Sequence, residues 1–313
     1  MEHKEQRSLH LVGTHVTHSV AYRMHNYIAE SLGLPWTFCN TTCPTLDDAL
    51  TLLAEPTVAG LVVTMPYKNT IMERVDELDE LASTVGACNC VYYKKGKDFA
   101  ATTRISCGSN TDWNGIVDSL LGKQAVGRPR PSPQSPGCAV VVGAGGASRA
   151  AVYSLAVHLH CDTIYIINRD AAEVAALVAD SKKLANPPRL IRLETAEEAR
   201  KLPVTPYYVV GTVPDFEPQT EEEKRAAATL DAVLDAPEKG VLLDLCFKPR
   251  WTRMMKAGER KGWQCVEGIH VIGHQVIEQW RLWVGDKAIE KSDRKGAWAA
   301  LMKAAEESKE INF

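Results

Sequence analysis

Between Cys138 and His158 the chain passes from an unbroken apolar run into a glycine-rich turn and then into an alanine-rich stretch. The run 138–142 is short and valine-rich, the pattern of a strand buried on both faces. Gly143-Ala144-Gly145-Gly146 then turns the chain tightly enough for a phosphate to lie against bare backbone amides. The apolar period beyond it predicts a helix over 147–158, whose positive N-terminal end faces the turn. Ser148 stands where the usual dinucleotide fingerprint has its third glycine, and it is small enough for close packing. A strand, turn and helix of this kind belong to a Rossmann-type α/β sheet. Gly143, Ala144, Gly145, Gly146, Ala147 and Ser148 are therefore the candidate pyrophosphate contacts.

The next apolar run, 163–167, ends in Asn168-Arg169-Asp170, where the adenosine ribose is expected. Arg169 suits a 2′-phosphate and can stack on adenine, whereas Asp170 suits a free 2′-hydroxyl. The two residues point to different cofactors, NADP and NAD. We place NADP ahead and keep NAD open. Thr212, just beyond the apolar run 207–210, joins Asn168, Arg169 and Asp170 as a cofactor contact.

Periodicity sets out the remaining organisation. Strands are expected at 9–13 and 58–64, with an amphipathic helix over 19–32 behind a Ser19 cap. A charged-and-apolar helix is expected over 69–85, followed by short strands near 89–94 and 100–106. These elements make an open α/β substrate-binding domain over residues 1–111. A helix over 112–121 leads into a Rossmann-type dinucleotide-binding domain, 112–273. Pro129, Pro131, Pro133 and Pro136 make 122–137 an exposed, irregular loop. Strands near 140, 164, 207–210 and 241–245 alternate with helices, as in a mainly parallel, doubly wound sheet. Residues 220–234 read as a surface helix. Residues 274–313 read as C-terminal helices, 274–284 and 295–307, that pack back towards the first domain.

Composition narrows the partners. A formal net charge of -3 over 313 residues gives no reason to expect nucleic acid or an anionic membrane. No stretch approaches the roughly 18–20 apolar residues of a membrane span, and the first residues lack a signal-peptide apolar region, so a cytoplasmic protein is expected. The nine cysteines are scattered. Cys39 and Cys43, and Cys88 and Cys90, lack the second pair or the histidines of a zinc site. Most of the nine read as small buried hydrophobes in a reducing compartment, with no metal. A small-molecule substrate and a monomer or homodimer complete the expectation.

Two further segments carry ionisable groups, Thr64-Met65-Pro66-Tyr67-Lys68 and Asn110-Thr111-Asp112. Each lies at the end of its own apolar strand, ahead of the nucleotide turn in sequence. Two-domain oxidoreductases place such a pair opposite a nicotinamide. Together with Gly86-Ala87-Cys88-Asn89, the glycine turn through Arg149, Asp244 to Pro249 and Gly268 to Gln275, these motifs resemble the shikimate/quinate dehydrogenase family. The resemblance runs from about Leu9 to about Gly285. It implies Lys68 and Asp112 as the catalytic pair. It also implies that Thr64, Asn89, Asp112 and Gln275 bond the ring hydroxyls of the substrate, and that Ser19 binds its carboxylate.

The chain departs from that family's pattern in places. Where the family reads His-Ser-x-Ser-Pro-x-x-His-Asn, this chain has His18-Ser19-Val20-Ala21-Tyr22-Arg23-Met24-His25-Asn26. One hydroxyl donor is lost at Ala21, and Tyr22 or Arg23 stands ready to replace it. Val62 and Phe247 replace an asparagine and a tyrosine. Without the motifs, Lys68 reads as a solvated lysine, Asp112 as a helix cap, Asn89 as a turn residue and Gln275 as a surface residue. His25 reads as structural, and Trp280 and Trp283 as core. The implied activity is reversible NAD(P)-dependent hydride transfer between a ring alcohol of shikimate or quinate and the 3-dehydro ketone, with closure of the two domains on ligand. Another cyclic hydroxy-acid, or a non-catalytic ligand-sensing regulator on the same scaffold, is the alternative.

Overall fold

The structure is a computed structural model and describes residues 5–94 and 104–313. The chain divides into two compact units, Met1–Thr111 with Ile272–Ser308, and Asp112–Val271 with Lys309–Phe313. The last five residues thus fall with the second unit, not with the C-terminal helices at 274–313; the Arg250 N–H bonds to the Ile311 carbonyl at 2.6 Å.

The first unit opens with β1 (Arg7–Gly13), α1 (Ala21–Ser31), β2 (Trp36–Thr42), α2 (Leu46–Ala54) and β3 (Val58–Val63). It continues through β4 (Glu77–Leu78), α3 (Glu80–Val85), β5 (Cys90–Lys94) and β6 (Ile105–Ser109). Its sheet runs β2-β1-β3-β5-β6-β4. β1 is parallel to both its neighbours, and β5 is antiparallel to β3 and β6. The apolar face of β3 and its neighbours packs on Leu53, Tyr67 and Ile71.

Three expectations for this unit are corrected. The helix begins at Ala21 with Val20 at the cap position, and Ser19 Oγ accepts only a long bond, 3.4 Å, from the Ala21 N–H. Residues 69–85 are not one helix but a 3₁₀ turn at Thr70–Glu73, the short β4 and then α3. Asp76 draws the chain to the sheet, because its carboxylate accepts from Ser106 N at 2.8 Å and Ser106 Oγ at 2.7 Å. Asp79 then caps α3 through the Ala82 N–H at 2.7 Å. The strand expected at 100–106 is observed at Ile105–Ser109, and positions 100–103 lie outside the described residues.

The second unit holds α4 (Asp112–Leu121), β7 (Gly137–Val142), α5 (Gly146–Tyr153), β8 (Cys161–Ile167), α6 (Ala171–Ser181), β9 (Arg189–Arg192) and α7 (Ala196–Arg200). β10 (Tyr208–Gly211), α8 (Glu221–Leu234), β11 (Val241–Asp244), α9 (Arg253–Arg260) and β12 (Gln264–Glu267) follow. The sheet order is β12-β11-β10-β7-β8-β9, and every pairing is parallel. Strand order reverses between β7 and β10, where a doubly wound sheet leaves a crevice at its strand ends. α5 runs on into one π turn, Ser154–His158.

The proline-rich segment 122–137 is irregular, as its prolines dictate, but it is not a free loop. Arg128 donates to the carbonyls of Thr205 (3.0 Å), Pro206 (3.2 Å) and Lys239 (3.3 Å), and Arg130 donates to those of Leu121 and Lys123. The chain then passes through α10 (Gly268–Val284), which begins six residues earlier than 274, into α11 (Asp286–Ile289) and α12 (Arg294–Glu307). No helix among the described residues is long and apolar enough to cross a membrane.

Candidate active site

The glycine turn follows β7 and Thr212 follows β10, so both lie at the reversal of the second unit's sheet. Gly143 has φ 117°, a conformation suited to glycine, and a Cβ there would collide with Thr212 Oγ1. Thr212 Oγ1 donates to the Val142 carbonyl at 2.8 Å and lies 2.7 Å from Ser148 Oγ. Those two bonds clamp the turn from behind. At Gly145 an added Cβ would meet nothing within 4 Å, and no side chain caps the start of α5. The bare amides of Gly146, Ala147 and Ser148 thus begin a helix with open space before it, which fits a pyrophosphate. Arg149 does not point there. Its guanidinium donates to the Ala144 carbonyl (3.0 Å) and pairs with Asp180 (2.6 Å), bracing the turn against α6.

Where the ribose is expected, Asp170 serves as the cap of α6, its Oδ1 accepting from Ala172 N at 2.7 Å and Glu173 N at 3.3 Å. Asn168 Nδ2 donates to Glu173 at 2.8 Å. Arg169 pairs with Glu223.

In the first unit the motif residues converge on a buried chain of amides. Lys68 is placed by its backbone: its carbonyl accepts from the Cys88 N–H at 2.8 Å, and the preceding Tyr67 is buried with its hydroxyl on the Cys43 carbonyl, 2.8 Å. Thr64 is held by its N–H on the Val12 carbonyl, 3.0 Å, and Val63 by the Asn89 carbonyl, 2.7 Å. Asn89 is 1% exposed and Thr111 is fully buried.

The direction of this chain follows from one obligatory donor. The Thr111 backbone N–H donates to Asn89 Oδ1 at 2.7 Å, which fixes the Asn89 amide. Asn89 Nδ2 is then on the other side, where it donates to Gln275 Oε1 at 2.8 Å and to Thr111 Oγ1 at 3.1 Å. Thr111 Oγ1 (3.1 Å) and Gln279 Nε2 (3.4 Å) lie against that same oxygen. Gln275 therefore spends its carbonyl oxygen on Asn89, Thr111 and Gln279, and its NH₂ takes no part in these bonds. Asn89, expected to bond the substrate, accepts from the Thr111 N–H with its Oδ1 and directs its NH₂ to Gln275 Oε1 and to Thr111 Oγ1, so it also orients Gln275.

Gln279 was missed by the sequence reading. It is 1% exposed, donates to Thr111 Oγ1 at 3.2 Å and carries a buried Oε1 without a partner. Its spacing of four from Gln275 on one helix was the available signal.

Around the expected carboxylate loop, Ser19 and Ala21 are buried, while Arg23 is exposed with its guanidinium 5.1 Å from the Tyr22 ring centroid. Two residues on, His25 is structural. It stacks on Phe38 at a centroid separation of 3.8 Å, and its Nδ1 accepts from Trp280 Nε1 at 3.1 Å. Burial pushes its pKa down to about 3, so it is neutral near pH 7. Trp280 is fully buried. Among the described residues no group of three or more His, Cys, Asp or Glu is placed to hold a metal ion.

Comparison with known proteins agrees with these features. Residues 11–91 match the model of the shikimate dehydrogenase substrate binding domain. A quinate dehydrogenase of Emericella nidulans is 33% identical over 297 residues, which cover 90% of this chain and 88% of that protein. The chain belongs to the shikimate/quinate dehydrogenase family. A pentafunctional AROM polypeptide of Kluyveromyces lactis is 32% identical over 88% of this chain, but the match spans only 17% of that longer protein. The shikimate 5-dehydrogenase of Thermus thermophilus, solved with NADP(H) and shikimate, superposes with a TM-score of 0.69 at 25% identity, covering 95% of this chain and 99% of that one. This family pairs an N-terminal substrate domain with a C-terminal Rossmann-type domain, the α/β architecture described above.

Proposed function

We propose that the chain catalyses reversible NAD(P)-dependent oxidation of a ring alcohol of quinate or shikimate to the 3-dehydro ketone. The observation that carries this reading is the one-way amide chain from Thr111 through Asn89 to Gln275, which leaves a donor for a ring oxygen. The clamped glycine turn supports a pyrophosphate at the start of α5. The quinate dehydrogenase relative and the structure solved with NADP(H) and shikimate support the substrate and cofactor classes.

The nicotinamide, when bound, supplies or takes the hydride. The rest falls to the protein. Lys68 takes the proton of the reacting hydroxyl during oxidation and returns it during reduction, and Asp112 holds that lysine and the neighbouring hydroxyl. Thr64 and Gln275 fix the ring. Ser19, with Tyr22 or Arg23 in place of the second serine, receives the carboxylate near the start of α1. Nine free cysteines, six of them buried, support a reducing compartment such as the cytoplasm.

Absorbance of the reduced nicotinamide, with quinate and shikimate each tested against NAD and NADP, tests the reading directly. Turnover with either acid is expected. Binding of an acid without turnover would instead favour a ligand-sensing protein on the same scaffold.

A further inference from the structure

Arg169 follows β8, where a sheet of this type reads the 2′ position of the adenosine ribose. Its guanidinium already has a partner, Glu223. That carboxylate is not a drifting surface group. It is the third residue of α8 and closes a capping box with Thr220, accepting from the Gln219 N–H at 2.8 Å and the Thr220 N–H at 3.2 Å. These backbone donors, more than Arg169, hold its carboxyl below the usual range.

The neighbouring arginines are also matched. Arg192 lies 3.0 Å from Glu194, and Arg225 lies 3.6 Å from Glu222. All of these but Glu223 line one pocket of 70 Å³ beside Asn168. Asp170 and Glu173, at the start of α6, place two more carboxylates at the strand end. A dianionic 2′-phosphate drawn to Arg169 would therefore meet a carboxylate fixed on that same guanidinium. A 2′-hydroxyl carries no charge and meets no such repulsion.

We propose that Glu223 is a specificity-determining residue that selects against a 2′-phosphate and turns the nucleotide site towards NAD. The proposal rests on the nucleotide reading above and decides between the two cofactors it leaves open. Glutamine is equally accepted at this position of a capping box, so Glu223→Gln removes the charge while keeping the cap.

The test is calorimetric titration of the full chain with 5′-AMP and with adenosine 2′,5′-bisphosphate, at low and at high salt. The wild type is expected to bind the bisphosphate no more tightly than 5′-AMP. Glu223→Gln is expected to strengthen bisphosphate binding about tenfold at low salt, with 5′-AMP changed by less than about twofold, and the gain should shrink as salt screens it. Glu221→Gln removes a like charge from the same helical turn, where Glu221 pairs with Lys224, and is expected to give a much smaller gain. Bisphosphate binding by the wild type about tenfold tighter than 5′-AMP overturns the proposal. So does an unchanged ratio in Glu223→Gln, or an equal gain in Glu221→Gln. If the wild type binds neither nucleotide, the nucleotide reading itself fails and the proposal with it.

Discussion

At the scale of single residues, the candidate site combines the pair proposed to handle the proton, Lys68 and Asp112, with a set of amides that have one permitted orientation. Lys68→Ala and Asp112→Asn are each expected to lower kcat by about 10²-fold or more, the usual scale for general acid–base groups. Binding of 5′-AMP should hold steady in both, because neither residue lies on the glycine turn. A variant with near-normal turnover would remove that residue from the mechanism. Asn89→Asp tests the amide chain. The Thr111 N–H still finds an acceptor, but an oxygen replaces the nitrogen that faced Gln275 Oε1. Gln275 must turn over or retreat, and KM for quinate or shikimate should rise by about tenfold or more, the worth of a hydrogen bond to a buried polar group. An unchanged KM for both acids would mean that Gln275 does not contact the ring.

At the scale of elements, α1, β2 and α10 meet on His25, which makes their packing sensitive to acid. Its pKa of about 3 in the fold lies below the ordinary value near 6.5. Between those values the unfolded chain binds the extra proton, so stability falls as pH drops from about 6.5 towards 3. The full shift corresponds to about 3–5 kcal/mol. His25→Gln keeps an acceptor for Trp280 and removes the titration. The pH dependence of the melting temperature should be flatter for this variant than for the wild type across that window, and equal slopes would place the acid sensitivity elsewhere. The elements differ in how far their sequences announce them. β1, β3 and β7 are apolar runs bounded by turns, and they stand where periodicity puts them. β2 has only Phe38 fully buried and β9 has no fully buried residue, so neither carries a readable alternation. The segment 69–85 has helical periodicity, but Asp76 bonds to Ser106 thirty positions away, and a local pattern cannot register that contact. The site divides in the same way. Thr64, Lys68, Asn89 and Gln275 are visible as motif letters. The direction of the amide chain depends on a backbone N–H reaching across 22 positions, which no motif encodes.

At the scale of the whole molecule, the first unit is built from two separated stretches of chain, Met1–Thr111 and Ile272–Ser308. The second stretch brings Trp280, fully buried, together with Ala297, Leu301 and Ala305 of α12, also fully buried. Losing one large buried aromatic alone costs about 3–5 kcal/mol, against a domain stability of about 5–15 kcal/mol. Residues 1–111 expressed alone should therefore show no cooperative thermal transition by circular dichroism. Addition of a peptide of residues 272–308 should restore one. A cooperative transition in the isolated 1–111 fragment would show that the later helices merely decorate a finished core.

With its carbonyl oxygen engaged, Gln275 can offer a ligand only its NH₂, and that has a consequence for the two oxidation states of a ligand. A hydroxyl both gives and receives a hydrogen bond, whereas a carbonyl only receives. A protein group restricted to giving can serve either one, so such a contact survives unbroken when a ring carbon passes between alcohol and ketone. An acceptor at the same place would hold the alcohol and abandon the ketone, tilting the equilibrium on the protein towards one side. On the proposed reading of Gln275 as a ring contact, the Thr111 peptide, by orienting two amides in succession, would leave that contact indifferent to which way the reaction runs.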